Sequence, residues 1–497
     1  MSAGTAGPGR PGSGPAAGGA RLEHLAAAAA GTTCAHAPAE VRQRVRDLVV
    51  DTLAVTAWGS RRGELRALRE LVADTESHGR ATVLGTSITR EAALACALNG
   101  SAAAADQLQD GHRVARGHPG SHVVLAVFAL AEERDCSAQA MLSAVLAAYE
   151  VGARIGTAMR GTPPGVHDIG TWGAVAAAAG TAHLLAPGDA SAMAAAIELG
   201  SSAILLTDAE TVFGGHPGGH AFLGASVAHG LWLGQAAASG LRAAPGTLDR
   251  LLGRHAAADW AGLPVGDADG WQAYEVMRGY LKLHPACAHL HGVLDALDDI
   301  LSTHRASHSA ADVEHVLVRT YAAASAFAAP ADNELQARFS IPTAVALALR
   351  HGRLTEDVLT DSEVRSRAVR ELAARVEVTH APELDAGYPD GRPSSVELTL
   401  SDGTSVSAHS ARPRGYADGA ASRPALRAKA ERLLRGSFGD SAAPLQQVLA
   451  EWPERHSPRQ LGLAFRRAAA GAEGGRPPAP RAAGGTGPEA ATRTAHV

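Results

Sequence analysis

The chain has 497 residues and a formal charge of −5, with 46% hydrophobic and 19% charged residues. At about 100–200 residues per domain, that length holds roughly two to four domains. Its 45 basic residues nearly balance 50 acidic ones, which leaves no cationic excess for sequence-independent nucleic-acid binding. Aromatics supply only 4%, so the core must be built from Ala, Leu and Val; that suits closely packed helices and argues against a large all-β sandwich.

In chain order, residues 1–20 are rich in Gly, Pro, Ala and Ser and read as a disordered tail, as do 471–497. From 22 to 279 the pattern is helical. Apolar segments at 91–105 and 122–133 flank a polar loop, and Leu142, Val145, Leu146 and Tyr149 form one stripe at helical spacing. Ala-rich runs at 173–186 and 191–197 suit buried helices, with Gly and Pro clusters at 161–165 and 214–219 as breaks. From 280 to 420 the texture becomes α+β. Val316 and Val318, Val376 and Val378, and Val396, Leu398 and Leu400 alternate with polar residues, and Asp402-Gly403 sits where a hairpin turn belongs before Val406 and Ala408. Between these strands Ser340-Ile341-Pro342 opens a helix that Gly352 closes. Residues 424–470 return to helix. The expected architecture is mainly α, a large all-helical domain plus a smaller α+β domain.

The four cysteines, 34, 96, 136 and 287, lie far apart without a C-x-x-C, which predicts no disulfide framework, structural zinc or iron–sulfur cluster. The apolar run Val123 to Ala131 is about half of the ~20 residues a membrane span needs. A cytoplasmic protein with no membrane and no nucleic-acid partner is expected. Lysine occurs only at 282 and 429, the other 43 of 45 basic residues being arginine. Arginine fills a general charge role equally well, so each lysine marks a place where an amine is wanted.

Four polar clusters carry candidate chemistry. The first runs from Asp106 through Asp110, Gly111, His112 and Arg113 to His118-Pro119-Gly120; imidazoles supply acid or base near neutral pH, Asp110 can orient His112, and Arg113 or Arg116 can hold a carboxylate. The second, Gly165 to Gly173, sets His167 just before an Ala-rich helix. The third is His216-Pro217-Gly218-Gly219-His220. The fourth, Lys282 to His289, places a rare lysine beside Pro285 and Cys287 at the domain junction, where ligand sites tend to form. No P-loop, GxGxxG, HExxH or GxSxG pattern supports nucleotide, zinc-protease or serine-hydrolase chemistry.

The order of these clusters resembles the MmgE/PrpD family. The residues that carry the resemblance are Asn99-Gly100 leading to Gln109-Asp110-Gly111-His112-Arg113, then Gly117-His118-Pro119-Gly120, Ala148-Tyr149-Glu150-Val151 with Arg154-Ile155-Gly156, and Gly165-Val166-His167 with Gly170-Thr171-Trp172-Gly173-Ala174. Lys282-Leu283-His284-Pro285-Ala286-Cys287 and Phe339-Ser340-Ile341-Pro342 complete the series. The resemblance implies a cofactor-free and metal-free homodimeric lyase, acting on a small carboxylate between a helical and an α+β domain. His118, His167 and Lys282 fall on the family's active-site His, His and Lys, with Asp110, Gly111 and His112 on its pocket loop. Arg113 joins as a carboxylate binder, and His216 and His220 stand near the place of an absent family lysine. Where the family carries a His and two acidic residues, this chain has Ala104, Gln107 and Gln109, which changes the charge of the pocket. The expected reaction is elimination of water or CO₂ from a polycarboxylate or related carboxylic acid. The alternatives are an isomerase acting next to a carboxylate and a degenerate binding protein.

Overall fold

A computed structural model describes residues 15–72, 79–253, 265–266, 270–304, 310–417 and 422–474. The helical unit is centred on Trp172–Leu185, which is apolar on every side and packs against Pro119–Arg134, Ala138–Met159, Ala190–Ser202 and Gly218–Ala238. Small residues set these distances. On the Gly218–Ala238 helix, a Cβ at Gly230 would stand 2.5 Å from Ala177, and one at Gly224 2.2 Å from the Ala97 carbonyl oxygen. Any side chain there would push this helix off both Trp172–Leu185 and Ala92–Ala104. The predicted stripe Leu142, Val145, Leu146 and Tyr149 is buried on Ala138–Met159, whose first turn is capped by the Ser137 side chain.

The smaller unit holds a four-stranded sheet in the order Ser405–Ser410, Ser394–Leu400, Val313–Thr320, Val376–His380. The first two pairings are antiparallel and the last is parallel, with Val316 opposite both Leu398 and Val376. A parallel pair needs a crossover, and the chain between its strands carries the helix Ile341–His351. Ser340 caps that helix by accepting from the Thr343 amide, and Gly352 ends it at φ +84°. Gly403, at φ +83°, turns the predicted hairpin. The helices His291–His304 and Ile341–His351 pack with the sheet through Val293, Leu297, Val345, Val316, Val318 and Val396.

Helices Ser422–Phe438, Ala442–Glu451 and Pro458–Gly474 return to the first unit, where Leu434, Phe438, Leu445, Trp452 and Phe465 join one core with Leu48, Val124 and Phe128. The tails differ from expectation in part. The helix Pro15–Ala30 begins within 1–20 and buries Leu25, Ala26 and Ala29 beside Ile155, Met193 and Ile197; the last helix runs to Gly474, four residues into 471–497. Residues 1–14 and 475–497 lie outside the described residues. Among the described residues no helix is long and apolar enough to cross a membrane.

Candidate functional site

The loop between Ala92–Ala104 and Pro119–Arg134 is not a solvated connection. Asp106, Gln107, Gln109, Asp110, His112 and Arg113 are all buried in it. Asp106 is gripped by Arg62 at 2.8 Å and Arg338 at 2.6 Å, tying the loop to both units. Gln107 sits in the left-handed region at φ +52°, a strained backbone for a non-glycine residue, and its Oε1 accepts from Lys282 Nζ at 3.1 Å. Asp110 accepts from the Gly120 amide at 2.7 Å and from the Ser121 amide at 2.8 Å, so its carboxylate caps the helix that His118 precedes. Burial raises Asp110 to about 6, against the pull of these donors.

Three of the expected residues come together. His118 donates through Nδ1 to the Asp110 carbonyl at 2.6 Å, which leaves Nε2 with its lone pair. Burial lowers this imidazole to about 4; Asp168 pulls it up, while Lys282 and His167 push it down. His167 is 7% exposed, lies on the short pairing of Val166–His167 with Thr207–Asp208, and accepts the Ile169 amide on Nδ1 at 3.3 Å. The neutral ring then carries its proton on Nε2. The Asp168 carboxylate stands 3.3 Å from the same Nδ1. Gly117 brings the two loops together, since a Cβ there would lie 2.7 Å from Asp168 and 2.4 Å from Trp172. Lys282 is 1% exposed, and burial lowers its ammonium to about 8. A wall of rings continues from this group: His167 to Phe213 at 5.3 Å, Phe213 to Phe327 at 5.9 Å, Phe327 to His289 at 5.3 Å, and His289 Nδ1 to the Tyr321 hydroxyl at 2.6 Å.

The other candidates are placed differently. His112 is fully buried with its Nε2 on Glu275, 3.2 Å from the carbonyl and 3.1 Å from Oε2, while Nδ1 accepts the Ala115 amide. Asp110 does not orient it, because that carboxylate is already committed to the helix start. Glu275 would be raised by burial, but the His112 bond and nearby arginines bring it down to about 2. His112 therefore locks the loop to the segment before Lys282. Arg113 donates to the Arg278 carbonyl at 3.0 Å, pairs with Asp390 at 3.2 Å and lies 5.1 Å over the Tyr416 ring; the carboxylate it holds is the chain's own. His216 is exposed and His220 buried, 3.4 Å from Glu64, and both line a narrow pocket with Gln107, Ile169, Arg338 and Phe339. That pocket adjoins the Lys282 partner, Gln107.

Asp168, His289 and Glu275 matter to this geometry and had no assigned role in the sequence. Asp168 and His289 stood inside motifs already singled out. Glu275 has no local signal, since its partner lies 163 residues away. Among the described residues no group of three or more His, Cys, Asp or Glu is placed to hold a metal ion.

Over 158 residues the chain is 32% identical to the cis-aconitate decarboxylase-like protein oryM of Aspergillus oryzae, a match covering 30% of this chain and 33% of that relative. The chain thus spans about a third of the length of this curated relative. Residues 23–257 match the MmgE/PrpD N-terminal domain and residues 284–453 the MmgE/PrpD C-terminal domain, so the chain belongs to the MmgE/PrpD family.

Proposed function

We propose that this protein is a cofactor-independent lyase that eliminates water or CO₂ from a polycarboxylate or a related carboxylic acid. The observation that carries the reading is the gathering of two imidazoles of opposite tautomer, His118 and His167, around the buried ammonium of Lys282. Membership of a family with a decarboxylase-like relative supports an enzyme of the lyase type.

In this mechanism Lys282 holds a substrate carboxylate and stabilises the negative charge that develops beside it. His118, with Nδ1–H fixed on the Asp110 carbonyl, offers Nε2 as the base. A protonated His167 delivers its Nε2 proton to the leaving oxygen in a dehydration, or to the carbanion carbon after CO₂ departs, and is left neutral with its Nδ1 proton facing Asp168 at 3.3 Å. Two imidazoles also suit an isomerase that removes and returns a proton at one carbon. On the same reading the chain works as a homodimer, tested by light scattering: a clean monomer at micromolar concentration counts against it.

The deciding experiment is mass spectrometry of a panel of polycarboxylates incubated with the purified protein in D₂O. A product lighter by water or CO₂ is expected. Deuterium uptake without loss of a group identifies the isomerase instead, and an unchanged panel removes both readings.

A further inference from the structure

Arg44, Arg113, Arg154, Arg338 and Arg392 are buried arginines of this chain. Arg154 pairs with Glu150, Arg338 with Glu334 and Asp106, and Arg113 with Asp390, while Arg44 lies in the field of Asp47, Asp51 and Asp110. Arg392 differs. It is 3% exposed, its Nη1 donates to the Tyr416 hydroxyl at 2.7 Å, and its guanidinium lies 5.0 Å from the centre of the Tyr280 ring. Its Nε is buried with no hydrogen-bond partner, and no ion pair to it forms among the described residues. The groups that feel its charge most are Tyr280, Tyr416, Tyr321 and Tyr388.

A guanidinium taken out of water without a counter-charge is costly, and phenol rings return only part of that cost. The position of this one is not remote from the chemistry. Tyr280 stands two residues before Lys282, and its ring fills the space above Gly111, where a Cβ would lie 2.3 Å from the phenol. Leu281 is bonded to Gly415 at 3.0 Å, beside Tyr416. Burial, with Arg392, Arg116 and Lys282 adding to it, lowers the imidazole of His289 to about 3. Lys282, in turn, has a neutral amide as its partner. Two buried cations that both act on His289 thus have only uncharged side chains as hydrogen-bond partners.

We propose that Arg392 binds a second carboxylate of the substrate while Lys282 holds the first, which makes the ligand at least a dicarboxylate. This rests on the reading of the His118–His167–Lys282 pocket as a carboxylate site. The planar fork of arginine suits a bidentate carboxylate, and Tyr416 and Tyr280 hold it in place before the ligand arrives.

The test is calorimetric titration of the full chain with citrate, succinate and propionate, with thermal unfolding as the check on folding. Arg392→Met is expected to weaken citrate and succinate by about 10- to 100-fold, with no effect on propionate. Arg392→Lys restores part of the loss, since the charge returns without the fork. Tyr416→Phe keeps the charge but frees the guanidinium, and should weaken citrate by about 2- to 10-fold. A folded Arg392→Met that binds citrate as the wild type does overturns the proposal. So does a wild type that binds succinate no better than propionate. If Arg392→Met fails to fold, an unaltered Tyr416→Phe overturns it instead. Citrate binding that depends on Arg392, in a protein that turns over no polycarboxylate, removes the lyase reading and leaves this one. An active lyase whose KM is indifferent to Arg392→Met does the reverse.

Discussion

Replacing Gln107 by glutamate puts a carboxylate where a neutral amide now accepts from Lys282 at 3.1 Å. In the native pocket burial holds the ammonium at about 8, below the ordinary 10.5. A unit-charge pair at the 3.1 Å of this contact interacts by roughly 5 kcal/mol in an effective dielectric of about 20. Desolvation of the new carboxylate offsets much of this, leaving a net rise of about one to three units at Lys282. On the proposed mechanism protonated Lys282 is the form that holds substrate, so kcat/KM falls as pH rises through its pKa, near 8 in the native protein. In Gln107→Glu that alkaline fall should move to about 9–11, while KM rises because the new carboxylate competes with substrate for the ammonium. Stability gives an independent readout. Between about 8 and 10.5 the unfolded chain binds a proton that native Lys282 has lost, so alkaline pH stabilises the native fold through this group. The substitution shrinks that gain. The assay is a pH profile of kcat/KM beside denaturant melts in the same buffers. An alkaline limb that coincides in the two proteins refutes the assignment of Lys282 as the titrating, substrate-holding group.

Other substitutions test neighbouring parts of the argument. Lys282→Ala should lose about 10²–10⁴-fold in kcat/KM, and Lys282→Arg should not recover it, because a planar guanidinium does not fit a space shaped for an ammonium. Lys429 is 1% exposed, paired with Asp51 at 2.7 Å and bonded to the Leu108 carbonyl at 3.0 Å, so Lys429→Met should cost about 3–5 kcal/mol in urea unfolding by stranding Asp51. Asp110→Asn keeps one acceptor at the helix start and should cost about 0.5–2 kcal/mol. As pH falls through the window from about 6 to 3.8, native Asp110 takes up a proton before the unfolded chain does, so the native protein gains on this variant. Exhaustive EDTA treatment should leave activity intact, and activity restored only by added metal would overturn the metal-free mechanism.

Much of the fold was legible because its signals are local. The alternation of Val396, Leu398 and Leu400, the turn at Gly403 and the cap at Ser340 all act within a few residues of themselves. The tails were read less well. Pro15–Ala30 has composition without strong amphipathic pattern, and its order comes from burial of Leu25 and Ala29 against helices more than 100 residues away. The site divides along the same line. His118, His167 and Lys282 stand in short motifs, but the roles of Asp110, His112 and Arg113 depend on Gly120, Glu275 and Asp390, and only the last two lie far along the chain. For Asp110 the lesson is different. Its partners were ten and eleven residues away, and the helix start at Pro119 was already a better claimant for a carboxylate than the neighbouring imidazole.

The two lysines show what the composition argument could and could not decide. Both are buried, as expected if lysine survives in an arginine-dominated chain only where a compact ammonium is needed. Rarity alone therefore marks burial and not a substrate site. What separates them is the charge of the partner. Lys429 faces Asp51 and a backbone carbonyl, a closed pair that ties the Ser422–Phe438 helix to the loop beside Gln107. Lys282 faces an amide, and Asp110 and Asp168 act on it only through their fields, so among the described residues no carboxylate is bonded to its ammonium. A glutamine at position 107 weakens the protein's own claim on that ammonium and leaves a larger share of its field to a ligand carboxylate. On the proposed reading, Gln107 in the place of the family's acidic residue shifts the pocket's charge balance toward anions, and that shift is compatible with the chemistry proposed for His118, His167 and Lys282.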